Sequence, residues 1–238
     1  MDFQERYNHI TETIHSTARK ARREPNEITF VAVTKNAQAA DLQKLLELGH
    51  RDLGESKLQH LQQRAVEVEP WLGDPPQSVR WHMIGHLQRN KVKATLQLAS
   101  LVHSVDSLRL AEEIQIAATR LEKTVAIMLE VNTGEESTKY GVAVGAAQHL
   151  AEQIDTMEGV HLVGLMTMAP RSENAEDSRR YFVRLREIFE EIKFRKIGGT
   201  HFRHLSMGMT QDYAVAIEEG ATMVRIGTAL FGEGTPEE

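Results

Sequence analysis

The 238-residue chain has no cysteine. That excludes a disulfide framework, thiolate metal sites and thiol nucleophiles, and it fits a reducing compartment. Basic charge is lacking too: 28 Lys and Arg stand against 34 Asp and Glu, for a net charge of −6. A nucleic-acid binder needs a basic face to neutralise phosphates, so that class is set aside. A local basic pocket for one small anion remains compatible. No stretch approaches the roughly 18 consecutive apolar residues of a membrane span. The N-terminal MDFQERYNHI is charged from the start and has no apolar signal centre. The expectation is a cytoplasmic protein without nucleic-acid or membrane partners. Three signatures are also missing. No GxGxxG follows the first strand, no HExxH organises the 11 histidines into a metal site, and no GxSxG elbow occurs.

What is present is an alternation. Short apolar runs fall at 28–34 (ITFVAVT), 51–54 (RDLG), 80–85 (RWHMIG), 101–105 (LVHSV), 124–131 (TVAIMLEV), 161–168 (HLVGLMTM), 201–207 (HFRHLSM) and 223–228 (MVRIGT). Helical patterns separate them. Leu42, Leu45, Leu46 and Leu48 precede Gly49. Leu108, Ala111, Ile114, Ala118 and Leu121 follow Asp106 and Ser107, which are placed to cap a helix. Phe182, Leu185, Phe189 and Ile192 form another stripe. Ahead of the first run, Phe3, Tyr7, Ile10, Ile14 and Thr17 predict an amphipathic helix, with Pro25 and Asn26 as its end.

Apolar strands alternating with helices indicate a parallel sheet covered by helices. Eight such units in about 230 residues fit an α/β chain folded as a single (β/α)8 TIM-type barrel with an extra N-terminal helix. The expected domain spans 1–238; an open doubly wound sheet is the rival. Residues 70–76 (PWLGDPP) read as a surface loop.

In a barrel the C-terminal ends of the strands build the site. Those ends are Lys35, Glu55, His86, Asp106, Asn132, Met168, Ser206 and Arg225. Lys35 closes VAVTK, and a neutral lysine amine can attack an aldehyde; equally, a strand-end lysine can be plain surface charge. Two later segments suit an anion. In Ser206-Met207-Gly208-Met209-Thr210-Gln211-Asp212 a strand turns into a helix, with Gly208 permitting close backbone approach and Ser206 and Thr210 supplying hydroxyls. In Arg225-Ile226-Gly227-Thr228 a fixed charge, a bare backbone and a hydroxyl follow one another. The plain alternative is that both glycines only make turns. Lys139, in the polar stretch EVNTGEESTKYG, could draw in an anion or be an ordinary loop charge.

With these segments identified, the chain resembles the pyridoxal-phosphate homeostasis protein family. The resemblance runs nearly end to end, through VAVTK, LGES, WHMIGHLQRNK, HSVDS, VNTGEESTKYG, GLMTM, LSMGMTQDY and AIEEGATMVRIGTALFG. It implies a barrel similar to the N-terminal domain of alanine racemase. It also implies pyridoxal 5′-phosphate carried as an internal aldimine on Lys35. By the same matching, Ser206, Gly227 and Thr228 would hold the phosphate, Gly208 would shape that loop, and Arg225 would face the pyridine nitrogen. Where the family commonly has asparagine the chain has Ser56, so that contact is not carried over. Thr34 and Thr210 stand where serine is common, and Asn36 where threonine is frequent.

The resemblance implies a regulator or carrier of the cofactor, with no catalytic residue and no metal. The expected partners are the cofactor itself and, as recipients, apo-enzymes that depend on it; the expected state is a monomer. Arg225 cannot readily protonate a pyridine nitrogen, and an unprotonated pyridine is a poorer electron sink. Racemisation needs a second base, which in the racemase fold comes from a C-terminal domain that this sequence leaves no room for. Two enzyme readings stand beside the carrier: an amino-acid racemase or relative using the same cofactor, and a Schiff-base aldolase barrel acting on phosphorylated sugars.

Overall fold

Eight parallel strands close on themselves. The computed structural model describes residues 1–73, 77–136 and 138–233. In chain order the elements are α1 (Phe3–Lys20), β1 (Thr29–Val33), α2 (Ala39–Glu47), β2 (Asp52–Glu55), α3 (Leu58–Val68), β3 (Arg80–Met83), α4 (Val92–Leu96) and β4 (Ala99–Val105). Then follow α5 (Leu108–Arg120), β5 (Val125–Asn132), β6 (Val142–Ala143), α6 (Ala147–Asp155), β7 (Val160–Met166), α7 (Arg179–Phe194), β8 (His204–Ser206), α8 (Tyr213–Glu218), β9 (Met223–Ile226) and α9 (Thr228–Phe231). The strand order is β4-β3-β2-β1-β9-β8-β7-β5, and β4 also pairs with β5. That pairing closes the ring and rules out the open sheet. The two-residue β6 is an unanticipated addition on the edge of β5.

Closure divides the apolar side chains into two populations. Most pack between strands and helices, in one continuous core that includes Leu42, Leu45, Ile114, Ile127, Leu129, Phe182 and Leu185. A separate cluster joins Leu101, Met128, Val163, Met166 and Met223, from strands β4, β5, β7 and β9. Strands that are not neighbours can share a cluster only across the interior of the barrel.

The N-terminal helix forms as its pattern predicts. Asp2 and Glu5 make a reciprocal capping box at 2.8 Å in each direction. Phe3, Ile10, Ile14, Thr17 and Ala18 are buried, and α1 lies on α8 and α9. Full burial of side chains the size of Phe and Ile stabilises by about 1.5–3 kcal/mol each. The helix ends five residues before Pro25. Arg22 reverses the chain at φ 58°, and the Arg23 amide donates to the Ala18 carbonyl at 2.9 Å. The expected cap of α5 also differs. Ser107 occupies the cap position but makes no side-chain cap bond, and Asp106 is directed to His86, 3.3 Å from its Nδ1. Of the expected loop, positions 74–76 lie outside the described residues.

Candidate functional site

The turn that follows β1 is tied down from several directions. Residues Thr34–Asn36 form a 3-10 turn, closed by the Ala37 amide on the Thr34 carbonyl at 3.0 Å. The buried Thr34 hydroxyl donates to Glu55 Oε1 at 2.5 Å. From α3, Arg64 Nη2 donates to the carbonyls of Thr34 and Ala37. The backbone of the turn is thereby held while the Lys35 side chain stays exposed. Glu55 is fully buried. Burial raises its carboxyl above the ordinary range, against the hydrogen bond from Thr34 and the charges of His60 and Arg64.

Two loops at the ends of β8 and β9 meet this turn. Gly208 has φ +88°, and a Cβ there would lie 2.5 Å from Ala216 Cβ and 2.9 Å from Tyr213 Cα; only glycine fits. Asp212 Oδ1 accepts from the Met209 amide at 2.7 Å, and the Gly208 carbonyl accepts from the Arg225 amide at 3.0 Å. A Cβ on Gly227 would stand 3.2 Å from Val33, so that loop presses bare backbone against the end of β1. The α9 helix begins at Thr228 and packs on the turn that carries Lys35. First-turn amides find no acceptor within their own helix. The Ala229 amide donates to Thr210 Oγ1 at 3.3 Å, and Thr228, exposed, is the first residue of the helix.

Parallel pairing of β8, β9 and β1 thus gathers Ser206, Gly208, Arg225, Gly227, Thr228 and the Lys35 turn at one seam. Ser206 and Arg225 differ from the others in being inside the barrel. Arg225 donates through Nη1 to Ser206 Oγ at 2.6 Å and through Nη2 to the Thr167 carbonyl at 3.0 Å. Burial lowers its guanidinium to about 10, opposed by the charges of Glu130 and Asp212. The Ser206 hydroxyl also meets His103 Nδ1 at 2.8 Å.

Several interior groups carried no sequence expectation. Glu130, on β5, is buried and pushed up to about 7, first by burial, then by Asp106, against the pull of Arg225. His103 is fully buried and held well below the ordinary histidine range by burial, then by His82, Arg225 and His204. His82 Nδ1 lies 2.9 Å from His103 Nε2. The available signal was parity. Alternate residues of a strand face the same side, and a polar residue at an inward position of an apolar parallel strand is anomalous.

Other strand-end residues serve the loops. His86 pairs with Asp106 and stacks on Tyr140, with ring centroids 3.9 Å apart. Asn132 Nδ2 donates to the Glu136 carbonyl at 2.8 Å. Lys139 pairs with Glu136 at 3.1 Å. Met168 packs on the interior cluster. Ser56 helps line a cavity of about 200 Å³ with Gln59, His86, Gln88 and Lys91. A larger groove of about 450 Å³ lies between α5 and α6, away from these residues. Among the described residues no group of three or more His, Asp or Glu could hold a metal, and no helix is long and apolar enough to cross a membrane.

Comparison with known proteins matches residues 7–235 to the family of the alanine racemase N-terminal domain. The pyridoxal phosphate homeostasis protein of Aquifex aeolicus is 37% identical over 229 residues, covering 96% of this chain and 97% of that protein. A solved structure from Bifidobacterium adolescentis superposes with a TM-score of 0.90 at 32% identity, covering 96% of this chain and 94% of the other. PipY of Synechococcus elongatus, solved with pyridoxal phosphate bound, gives a TM-score of 0.78 at 29% identity, covering 92% of this chain and 100% of PipY.

Proposed function

The chain belongs to the pyridoxal phosphate homeostasis protein family, built on the alanine racemase N-terminal barrel, and from that premise we propose that it holds pyridoxal 5′-phosphate at the β8–β9–β1 seam. The residues present fit the group. Gly208 admits no Cβ and Gly227 only a tightly packed one, so bare backbone would face the phosphate. The Thr228 hydroxyl and amide, at the start of α9, would donate to it. Ser206, which the resemblance puts on the phosphate, has its hydroxyl in contact with Arg225 and His103, so its share in the site would be to form the floor beneath the phosphate. The Lys35 amine, on its clamped turn, provides the covalent attachment. When bound, the cofactor supplies an aldehyde reactive toward amines, and the protein's task is to keep that aldehyde attached and protected.

The single observation that carries the cofactor-binding reading is Arg225 beneath the seam; alanine racemase resembles this arrangement, so by itself it does not separate carrier from racemase. Arg225 is 3% exposed, and it donates to both Ser206 and the Thr167 carbonyl. At about 10 it remains a cation at neutral pH. A guanidinium facing the pyridine nitrogen would donate a hydrogen bond without surrendering a proton, which would leave the ring a weaker electron sink. We read the protein as a carrier without catalytic turnover, monomeric and cytoplasmic, that passes the cofactor to apo-enzymes; the support is its 37% identity to a pyridoxal phosphate homeostasis protein.

Two measurements test this. Purified protein given the cofactor is expected to absorb in the visible, and borohydride is expected to fix the label on Lys35 in the peptide map. A colourless protein, or a label on another lysine, sinks the assignment. Racemisation and decarboxylation assays are expected to stay at background; robust turnover would move the protein to the enzyme class.

A further inference from the structure

A chain of hydrogen bonds crosses the barrel interior and ends at Arg225. Arg225 Nη1 stands 2.6 Å from Ser206 Oγ. Ser206 Oγ stands 2.8 Å from His103 Nδ1. His103 Nε2 stands 2.9 Å from His82 Nδ1. His82 Nε2 stands 3.1 Å from Asp52 Oδ1. Asp52 is the first residue of β2, at the end of the barrel remote from the mouth, and it is gripped there by both arms of Arg80. Ser206 and His103 are fully buried, Arg225 and His82 3% exposed.

Hydrogen-bond chemistry orients every link. Arg225 has only donors. Asp52 is an ionised acceptor: burial raises its carboxyl, but the hydrogen bonds from His82 and Arg80 outweigh that and hold it well below the usual range. The His82 proton therefore belongs on Nε2, facing Asp52. With His82 neutral, its Nδ1 accepts, so His103 carries its proton on Nε2. His103 Nδ1 then accepts from the Ser206 hydroxyl, and Ser206 Oγ accepts from Arg225. For two neutral rings, a donor-only group at one end and an acceptor-only group at the other leave this single arrangement of protons.

We propose that Asp52, with His82, His103 and Ser206 as links, is a positioning residue: it sets the direction of this chain and so fixes the Arg225 guanidinium where the cofactor's ring nitrogen would meet it. The proposal rests on the seam as the cofactor site only for its effect on affinity. The proton arrangement itself is a property of the protein alone.

The test has two arms. In the ¹⁵N-labelled protein without cofactor, histidine nitrogen–proton correlations are expected to show His82 and His103 each protonated on Nε2 at neutral pH. A proton on Nδ1 of either ring overturns the proposal. In the second arm, Asp52→Asn keeps the shape but replaces the obligate acceptor with a group that can donate. It is expected to lose the single His82 form and to weaken pyridoxal phosphate binding about 5-fold. Arg80→Ala retains the carboxylate and is expected to bind within about 2-fold of the parent. If Asp52→Asn keeps both the Nε2 form and the parental affinity, Asp52 positions nothing. Should Asp52→Asn fail to fold, His103→Gln, whose amide has one donor and one acceptor end, takes its place, with the same weakening expected and unchanged affinity counting against the proposal. Should the parent protein not bind the cofactor, the proposed function fails while the first arm still decides the chain.

Discussion

Ser206 Oγ and Arg225 Nη1 lie 2.6 Å apart although the residues are 19 positions apart in the chain. One ends β8 and the other sits near the end of β9. Their contact joins the loop shaped by Gly208 to the buried cation beneath the mouth.

Arg225→Ala removes that cation and leaves the Thr167 carbonyl without its donor. An unsatisfied buried acceptor costs about 1–3 kcal/mol. The barrel is expected to stay folded with a lowered Tm, and the cofactor to bind about 10-fold more weakly or worse. Calorimetric melting and equilibrium titration check the two effects separately.

Lys35 is exposed on a turn held by others. Lys35→Ala is expected to leave stability within about 0.5 kcal/mol of the parent. It is also expected to abolish visible absorbance and borohydride fixation, while residual phosphate-dependent binding persists. Retained absorbance would refute the role.

Gly208→Ala puts a methyl group 2.5 Å from Ala216 Cβ at a φ of +88°. Overpacking and strain together are expected to cost about 1–3 kcal/mol and to impair cofactor binding. At Gly145 a Cβ would meet nothing within 4 Å, and φ is not positive. Gly145→Ala is therefore the matched control, expected to be neutral or stabilising by up to about 1 kcal/mol.

Glu130 yields a pH prediction. Its carboxyl moves from 4.5 when unfolded to about 7 when folded. Below 4.5 both states are protonated and its contribution is fully present. Between the two values only the unfolded chain ionises, so stability falls as pH rises, by on the order of 3 kcal/mol in all. His103 acts oppositely: buried and neutral, it contributes above its ordinary 6.5 and loses that contribution as pH falls. Glu130→Gln removes the first effect and keeps the second. The gap between variant and parent in chemical denaturation is expected to widen in the variant's favour from pH 5 to pH 8. A constant gap would show that Glu130 does not titrate in that range.

Much of this was legible in the chain. Local apolar runs located every barrel strand: 124–131 was expected where Val125–Asn132 is found, and 28–34 where Thr29–Val33 is found. The shortest run, RDLG, is weak alone and draws support from its place in the rhythm. At 201–207 the expected strand begins only at His204, because Gly199–His201 forms a 3-10 turn. Lys35, Gly208, Gly227 and Thr228 were reachable because strand ends and glycine turns are local features. His82, His103, Glu130 and Asp52 were not, because which face of a strand points inward depends on register and on closure of the ring.

Composition and short-range spacing suffice for the strand–helix alternation, the lysine at a strand end and the two glycine loops; the choice of a closed barrel over an open sheet comes from the β4–β5 pairing. Closure of the ring puts Arg225 inside the barrel rather than at its rim. The tertiary structure alone joined Arg225 on β9 to Ser206, His103, His82 and Asp52, which lie on β8, β4, β3 and β2. The physical reason is that hydrogen-bond partners across a closed sheet are selected by strand order and register, which bring together residues with no local relation in the chain.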